Sequence, residues 1–174
     1  MYDEGELLDL VDAEDQVVKT IPRGEYYANQ DQYVGLNLRA ADLFIMNDKG
    51  ELWIPRRTMD RKIAPGGLDY SCGGHIGSGE TYLNGLIREI EEELNLSLRA
   101  EDLKFVAKLG PRPDLPYYSE LYLYKSNVAP TYNLEDFTEY QWIAPKDLIV
   151  LLESGEPAKT SMLETLNIVL SKLT

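Results

Sequence analysis

Glu89, Glu92 and Glu93 crowd into the stretch IREIEEEL, with Arg88 directly ahead of the first of them. On a helix each residue advances by about 100°, so these three carboxylates fall within an arc of about 100°. Carboxylates on one helix face, a turn apart, suit a small hard cation such as Mg2+ or Mn2+, which takes oxygen ligands and retains waters. The arrangement is otherwise costly. Like charges a turn apart repel by a few tenths of a kcal/mol, and the helix dipole favours cations, not anions, at a C-terminal end. A bound divalent ion offsets both costs. Arg88 is suited to orient a neighbouring carboxylate through a charge-assisted hydrogen bond. Taken alone, a charge run of this kind describes a solvated helix face equally well, so its surroundings decide.

Those surroundings define the elements that must hold the carboxylates. Leu83, Leu86, Ile87, Ile90 and Leu94 recur at helical spacing and form an apolar stripe, which predicts a helix over residues 80–94 packed on a sheet. A short strand at 71–74 leads into it through the glycine-rich turn GGHIGSG. Apolar or alternating runs predict further strands at 36–46, 51–55, 103–109, 115–125 and 139–143, and helices at 145–153 and 161–173. Residues 6–10 and 16–21 read as a hairpin around the acidic turn DAED, broken by Pro22–Gly24, and 56–69 as a loop. Strands around a central helix, with helices closing the chain, predict a mixed sheet between helical layers.

Composition narrows the partners. The 174 residues fit one domain, here read as 1–174 with 1–35 as an N-terminal extension and 36–174 as the core. A net charge of −13 argues against binding nucleic acid polymers and is compatible with a metal ion. The lone Cys72 precludes an internal disulfide, and the acidic start MYDEGELLDL lacks the features of a signal peptide, so a cytoplasmic, non-membrane protein is expected. The hairpin supplies an edge that is a candidate for pairing across a homodimer.

From Gly74, the sequence runs five residues to Glu80, then seven to Arg88-Glu89-Ile90-x-Glu92-Glu93-x-Asn95-Leu96. This resembles the Nudix hydrolase signature over 23 positions. The one departure is Asn95, where the family has glycine. The position calls for a left-handed backbone, which asparagine tolerates best after glycine. The resemblance implies a Nudix-like α/β/α sandwich with a mixed sheet. It also implies a Mg2+-dependent hydrolysis of a diphosphate linkage in a nucleoside di- or triphosphate or a related diphosphate. Glu89, Glu92 and Glu93 match the metal-binding glutamates, one of which helps activate water. Arg88 matches the arginine that positions the first, Glu80 a supporting glutamate, and the Gly73 carbonyl a further metal ligand.

The stretch WIPRRTMDRKIAPGGLDYSCGGH is similar to the branch holding isopentenyl diphosphate isomerase and its hydrolase-like relatives. That likeness implies that Arg57 and Arg61 meet substrate phosphates, a role suited to arginine's fork. The alternatives are the isomerase itself and a non-catalytic diphosphate-binding module. The isomerase carries its cysteine where this chain has Gly73, and uses several histidines where this chain has only His75. The family's extra loop acid is expected at Asp136 or Glu139. Tyr117, Tyr118, Tyr122 and Tyr124 are read as packing residues rather than base-stacking ones.

Overall fold

The computed structural model describes residues 4–112 and 115–173. In chain order the elements are β1 (Leu7–Val11), β2 (Val17–Pro22), α1 (Arg23–Ala28), β3 (Leu38–Met46), β4 (Leu52–Arg57), β5 (Cys72–His75), α2 (Tyr82–Leu94), β6 (Lys104–Leu109), β7 (Tyr117–Lys125), β8 (Phe137–Ile143), α3 (Pro145–Glu153) and α4 (Met162–Leu173).

Strand β3 is the centre, because its side chains are apolar on both faces. Leu43 and Ile45 pack with Trp53, Leu86, Ile90 and Leu94 on one side. Phe44 and Met46 pack with Leu52, Ile54, Leu148, Leu166 and Val169 on the other. A strand buried on both faces reads as a continuous apolar run, and neighbouring residues alternate between the two layers. The main sheet has the order β6-β7-β3-β4-β8, and β5 also pairs with β3. It is mixed: β7 runs parallel to β3 from Leu38↔Tyr117 to Met46↔Lys125, while β5 lies antiparallel from Ala40↔His75 to Leu43↔Cys72. Helix α2 covers one face, and α3 and α4 cover the other, giving the expected α/β/α sandwich.

Helix α2 begins later than its apolar period suggests. Thr81 is its N-cap, its Oγ1 accepting from the Asn84 amide at 3.2 Å, so Glu80 stays in the preceding loop. At the other end Asn95 sits at φ 51°, ψ 36°, the left-handed geometry expected of that position. Pro22–Gly24 does not merely break the hairpin. Pro22 precedes the six-residue helix α1, which buries Tyr26; a helix this short shows no apolar period.

The N-terminal segment is built into the domain. Leu8, Leu10 and Ile21 share a cluster with Leu38 of β3. Val11 and Asn37 exchange two backbone hydrogen bonds at 2.8 Å, and Leu8 bridges to Gly77. The β1 edge is therefore engaged within its own domain, and a dimer made through this hairpin would have to use β2, where Val17 and Val18 are exposed. Among the described residues no helix is long and apolar enough to cross a membrane.

Candidate functional site

A cleft of about 620 Å³ opens where β5 meets α2. One wall is acidic and is organised by Arg88. Its guanidinium donates to both oxygens of Glu80 at 3.0 Å, to Glu89 Oε1 at 2.8 Å and to the His75 carbonyl at 3.1 Å. Glu92 approaches it at 3.5 Å. Burial opposes the Arg88 charge, but Glu80 and Glu89 more than offset that and raise its pKa. Glu80 also accepts from the Gly77 amide at 2.8 Å, and the Arg88 hydrogen bond, foremost, holds its carboxyl below the usual range.

The three metal-candidate glutamates reach the cleft in different environments. Glu89 and Glu93 are partly buried. Burial raises the pKa of Glu89 against the pull of Arg88, and burial followed by repulsion from Glu89 pushes Glu93 up to about 7. Glu92 is solvent-exposed, with 59% of its side-chain surface accessible. Glu93 reaches the Gly73 amide at 3.4 Å, which brings Gly73 beside the glutamates. Gly74 lies directly against the Glu89 carboxylate, which a Cβ there would displace. Among the described residues no three ligating side chains converge into a ready ion cage, because Arg88 draws Glu89 and Glu92 towards itself. The donor chemistry still fits a hard divalent cation. These are oxygen ligands, and two of them are partly buried carboxylates whose pKa values burial raises.

The cleft also holds cations. Arg57 pairs with Asp69 and donates through Nε to the Ile63 carbonyl at 2.8 Å. Arg61 pairs with Asp136, which is buried in the cleft; burial, and then Arg57, lower the Arg61 pKa. Of the two loop acids, then, Asp136 reaches the site. Glu139 does not line the cleft: Arg56 takes it at 2.9 Å, along with Glu156 at 2.8 Å, so Arg56 is a structural clip between strand and loop. Register explains the choice, since Glu139 stands opposite Arg56 in the β4–β8 pairing.

Sequence reasoning passed over several residues of the cleft. Lys159 and Asp42 line it, as do Glu6 and Arg23 from the N-terminal segment, which pair with each other at 2.9 Å. Asp9 on β1 accepts from Ser78 Oγ at 2.7 Å and the Gly79 amide at 3.0 Å, so the hairpin anchors the glycine-rich turn. None of these lies in a recognisable pattern. Asp42 sits inside an apolar strand, where burial raises its pKa to about 6.

His75 is buried, with its Nε2 3.0 Å from the Tyr27 hydroxyl. Burial, helped by Arg23 and Lys159, lowers its pKa to about 3, so it is neutral at physiological pH. Tyr117 lines the cleft, whereas Tyr122 and Tyr124 pack on the α2 side of the sheet and Tyr118 donates to the Ala13 carbonyl. Cys72 belongs to the core beside Leu86 and Ile90, and burial raises its thiol pKa well above the ordinary value. Cys72→Ala should retain most of any activity and lose only about 1 kcal/mol of stability from reduced burial; a rate assay with a thermal melt checks both.

Residues 36–166 match the NUDIX domain model. The chain is 40% identical over 166 residues to an uncharacterized Nudix hydrolase of Nostoc sp., covering 94% of this chain and 95% of that one. A crystal structure of a Deinococcus radiodurans protein superposes with a TM-score of 0.82 at 33% identity, covering 93% of this chain and 98% of the other. Isopentenyl-diphosphate Delta-isomerase of Kocuria rhizophila is similar at 25% identity over 116 residues, or 64% of each chain.

Proposed function

The chain belongs to the Nudix hydrolase family, and from that premise we propose that it is a Mg2+-dependent pyrophosphohydrolase of a nucleoside di- or triphosphate or a related nucleoside diphosphate derivative. The observation that carries this reading is that two unlike sets of residues share one cleft. Glu80, Glu89, Glu92 and Glu93 line it together with Arg57, Arg61 and Lys159. Hydrolysis of a diphosphate needs cations for the phosphate oxygens and a way to activate water, and each set suits one of these needs.

Glu89, Glu92 and Glu93, with the Gly73 carbonyl, are the groups that would hold Mg2+ or Mn2+. When bound, such an ion lowers the pKa of a coordinated water and neutralises phosphate charge. The chain's own residues do the rest. Arg88 fixes Glu89 in place and keeps Glu80 ionised beside it. One of the three metal-candidate glutamates would also help activate the attacking water. Arg57 and Arg61 would present guanidinium groups to the phosphates, each paired with a buried aspartate. Asp136 is the loop acid of the site.

The isomerase reading receives no support from Cys72, which faces the core, or from His75, which burial keeps neutral. A panel of nucleoside di- and triphosphates, nucleotide sugars and isopentenyl diphosphate, assayed for phosphate or pyrophosphate release, tests the proposal. Release is expected with at least one nucleotide, should fall to background with a chelator and should return on adding Mg2+ or Mn2+. Isomerised isopentenyl diphosphate, or release that ignores chelation, would count against it.

A further inference from the structure

Lys159 sits outside every strand and helix, yet it is held firmly. Residues 157–159 run alongside Leu68: the Leu68 amide donates to the Pro157 carbonyl at 2.7 Å, and the Lys159 amide donates to the Leu68 carbonyl at 3.1 Å. That approach depends on Gly67, where a Cβ would lie 3.0 Å from the Pro157 carbonyl group. The ammonium then meets Asp69 Oδ1 at 2.9 Å and lies 5.5 Å above the Tyr70 ring.

Asp69 is buried, and its other oxygen already holds Arg57. One carboxylate therefore carries two cations, both of which line the cleft. Asp42, the nearby carboxylate, is hydrogen-bonded instead to Ser119 at 2.6 Å. Neutralising Asp69 would need only one cation. An ammonium has three donors, and among the described residues Asp69 is the one ion-pair partner of Lys159. Lys159 lines the same cleft as the glutamates, and its charge acts on Glu93 and His75.

Resting on the hydrolase reading above, we propose that Lys159 is a substrate-binding residue that, with Arg57, forms a two-cation clamp on Asp69 for phosphate oxygens of the substrate's diphosphate. The glutamate helix and the clamp then grip the diphosphate within one cleft, and Gly67 is the positioning residue for the lysine.

The test compares the parent, Lys159→Met and Gly67→Ala, the last of which keeps every charge but displaces residues 157–159. Losing one charge-assisted contact should raise KM, and weaken methylenediphosphonate binding measured by calorimetry, by roughly ten- to a hundredfold in Lys159→Met. The rise in Gly67→Ala should be several-fold, and kcat should change much less in both variants. A folded Lys159→Met with parent-like KM and parent-like binding overturns the clamp. If Lys159→Met fails to fold, Gly67→Ala decides: an unchanged KM overturns the proposal and a raised one supports it. A parent inactive on the whole panel sinks the hydrolase reading alone, and the methylenediphosphonate titration then judges the clamp by itself.

Discussion

Replacing Arg88 with methionine should cut the hydrolysis rate by roughly two to three orders of magnitude and destabilise the protein by about 2–4 kcal/mol. Arg88 is the common partner of Glu80, Glu89 and the His75 carbonyl, at 2.8–3.1 Å. Methionine matches much of the side-chain length but donates nothing. Breaking a partly buried ion pair from one side is costly because the remaining charge is left without compensation. Here two carboxylates would be stranded, one of them close to Glu93. Arg88→Lys separates charge from geometry. An ammonium keeps the charge but cannot span the two Glu80 oxygens, Glu89 and a carbonyl with one rigid fork. It should restore part of the stability and little of the rate. Urea unfolding and kcat/KM, measured on the three proteins, decide the matter; a methionine variant with parent-like kinetics would show that Arg88 does not organise the glutamates.

Much of this was legible because the chemistry and the packing share one helix. The stripe of Leu86, Ile90 and Leu94 places α2 on the sheet, and the same period places Glu89 and Glu93 towards β5. Asn95 marked the helix end through its tolerance of positive φ. Periodicity was less informative about exposure. Glu92 and Glu93 are adjacent and chemically identical, yet β5 covers only Glu93. The choice between Asp136 and Glu139 was equally hidden, since it depends on which residue faces Arg56 across a strand pair. Lys159 was the least visible. It lies in an irregular segment, and its position rests on Gly67 allowing close backbone contact with residues distant in the chain. Glu6 and Arg23 reach the cleft only because the N-terminal hairpin folds back on the domain, which no local pattern records.

The different burial of Glu92 and Glu93 leads to the second large effect, which runs opposite to the first in stability. With divalent ions chelated, Glu93→Gln should be more stable than the parent at pH 8, by on the order of 1–3 kcal/mol, while its activity falls by orders of magnitude. The stability gain follows from the carboxyl pKa, raised from 4.5 to about 7 by burial and then by Glu89. An acid with a raised folded-state pKa holds its proton more tightly when folded. Its stabilising contribution is therefore complete below about pH 4.5 and is lost as the pH rises through about 7. Glutamine stays neutral throughout, so it avoids that loss, although its buried amide still needs hydrogen-bond partners. Asp42, raised to about 6 by burial, slopes in the same direction in both proteins, so the difference between the two profiles reports Glu93 together with its coupling to Glu89. The two should converge near pH 4 and separate between about pH 5 and 7. Glu92→Gln is the contrast, because its exposed charge is already solvated; its melt should stay within about 0.5 kcal/mol of the parent at every pH. Parallel stability profiles for parent and Glu93→Gln would mean that Glu93 is not held as a strained, partly buried carboxylate, and the case for a cation-seeking glutamate wall would lose its electrostatic basis.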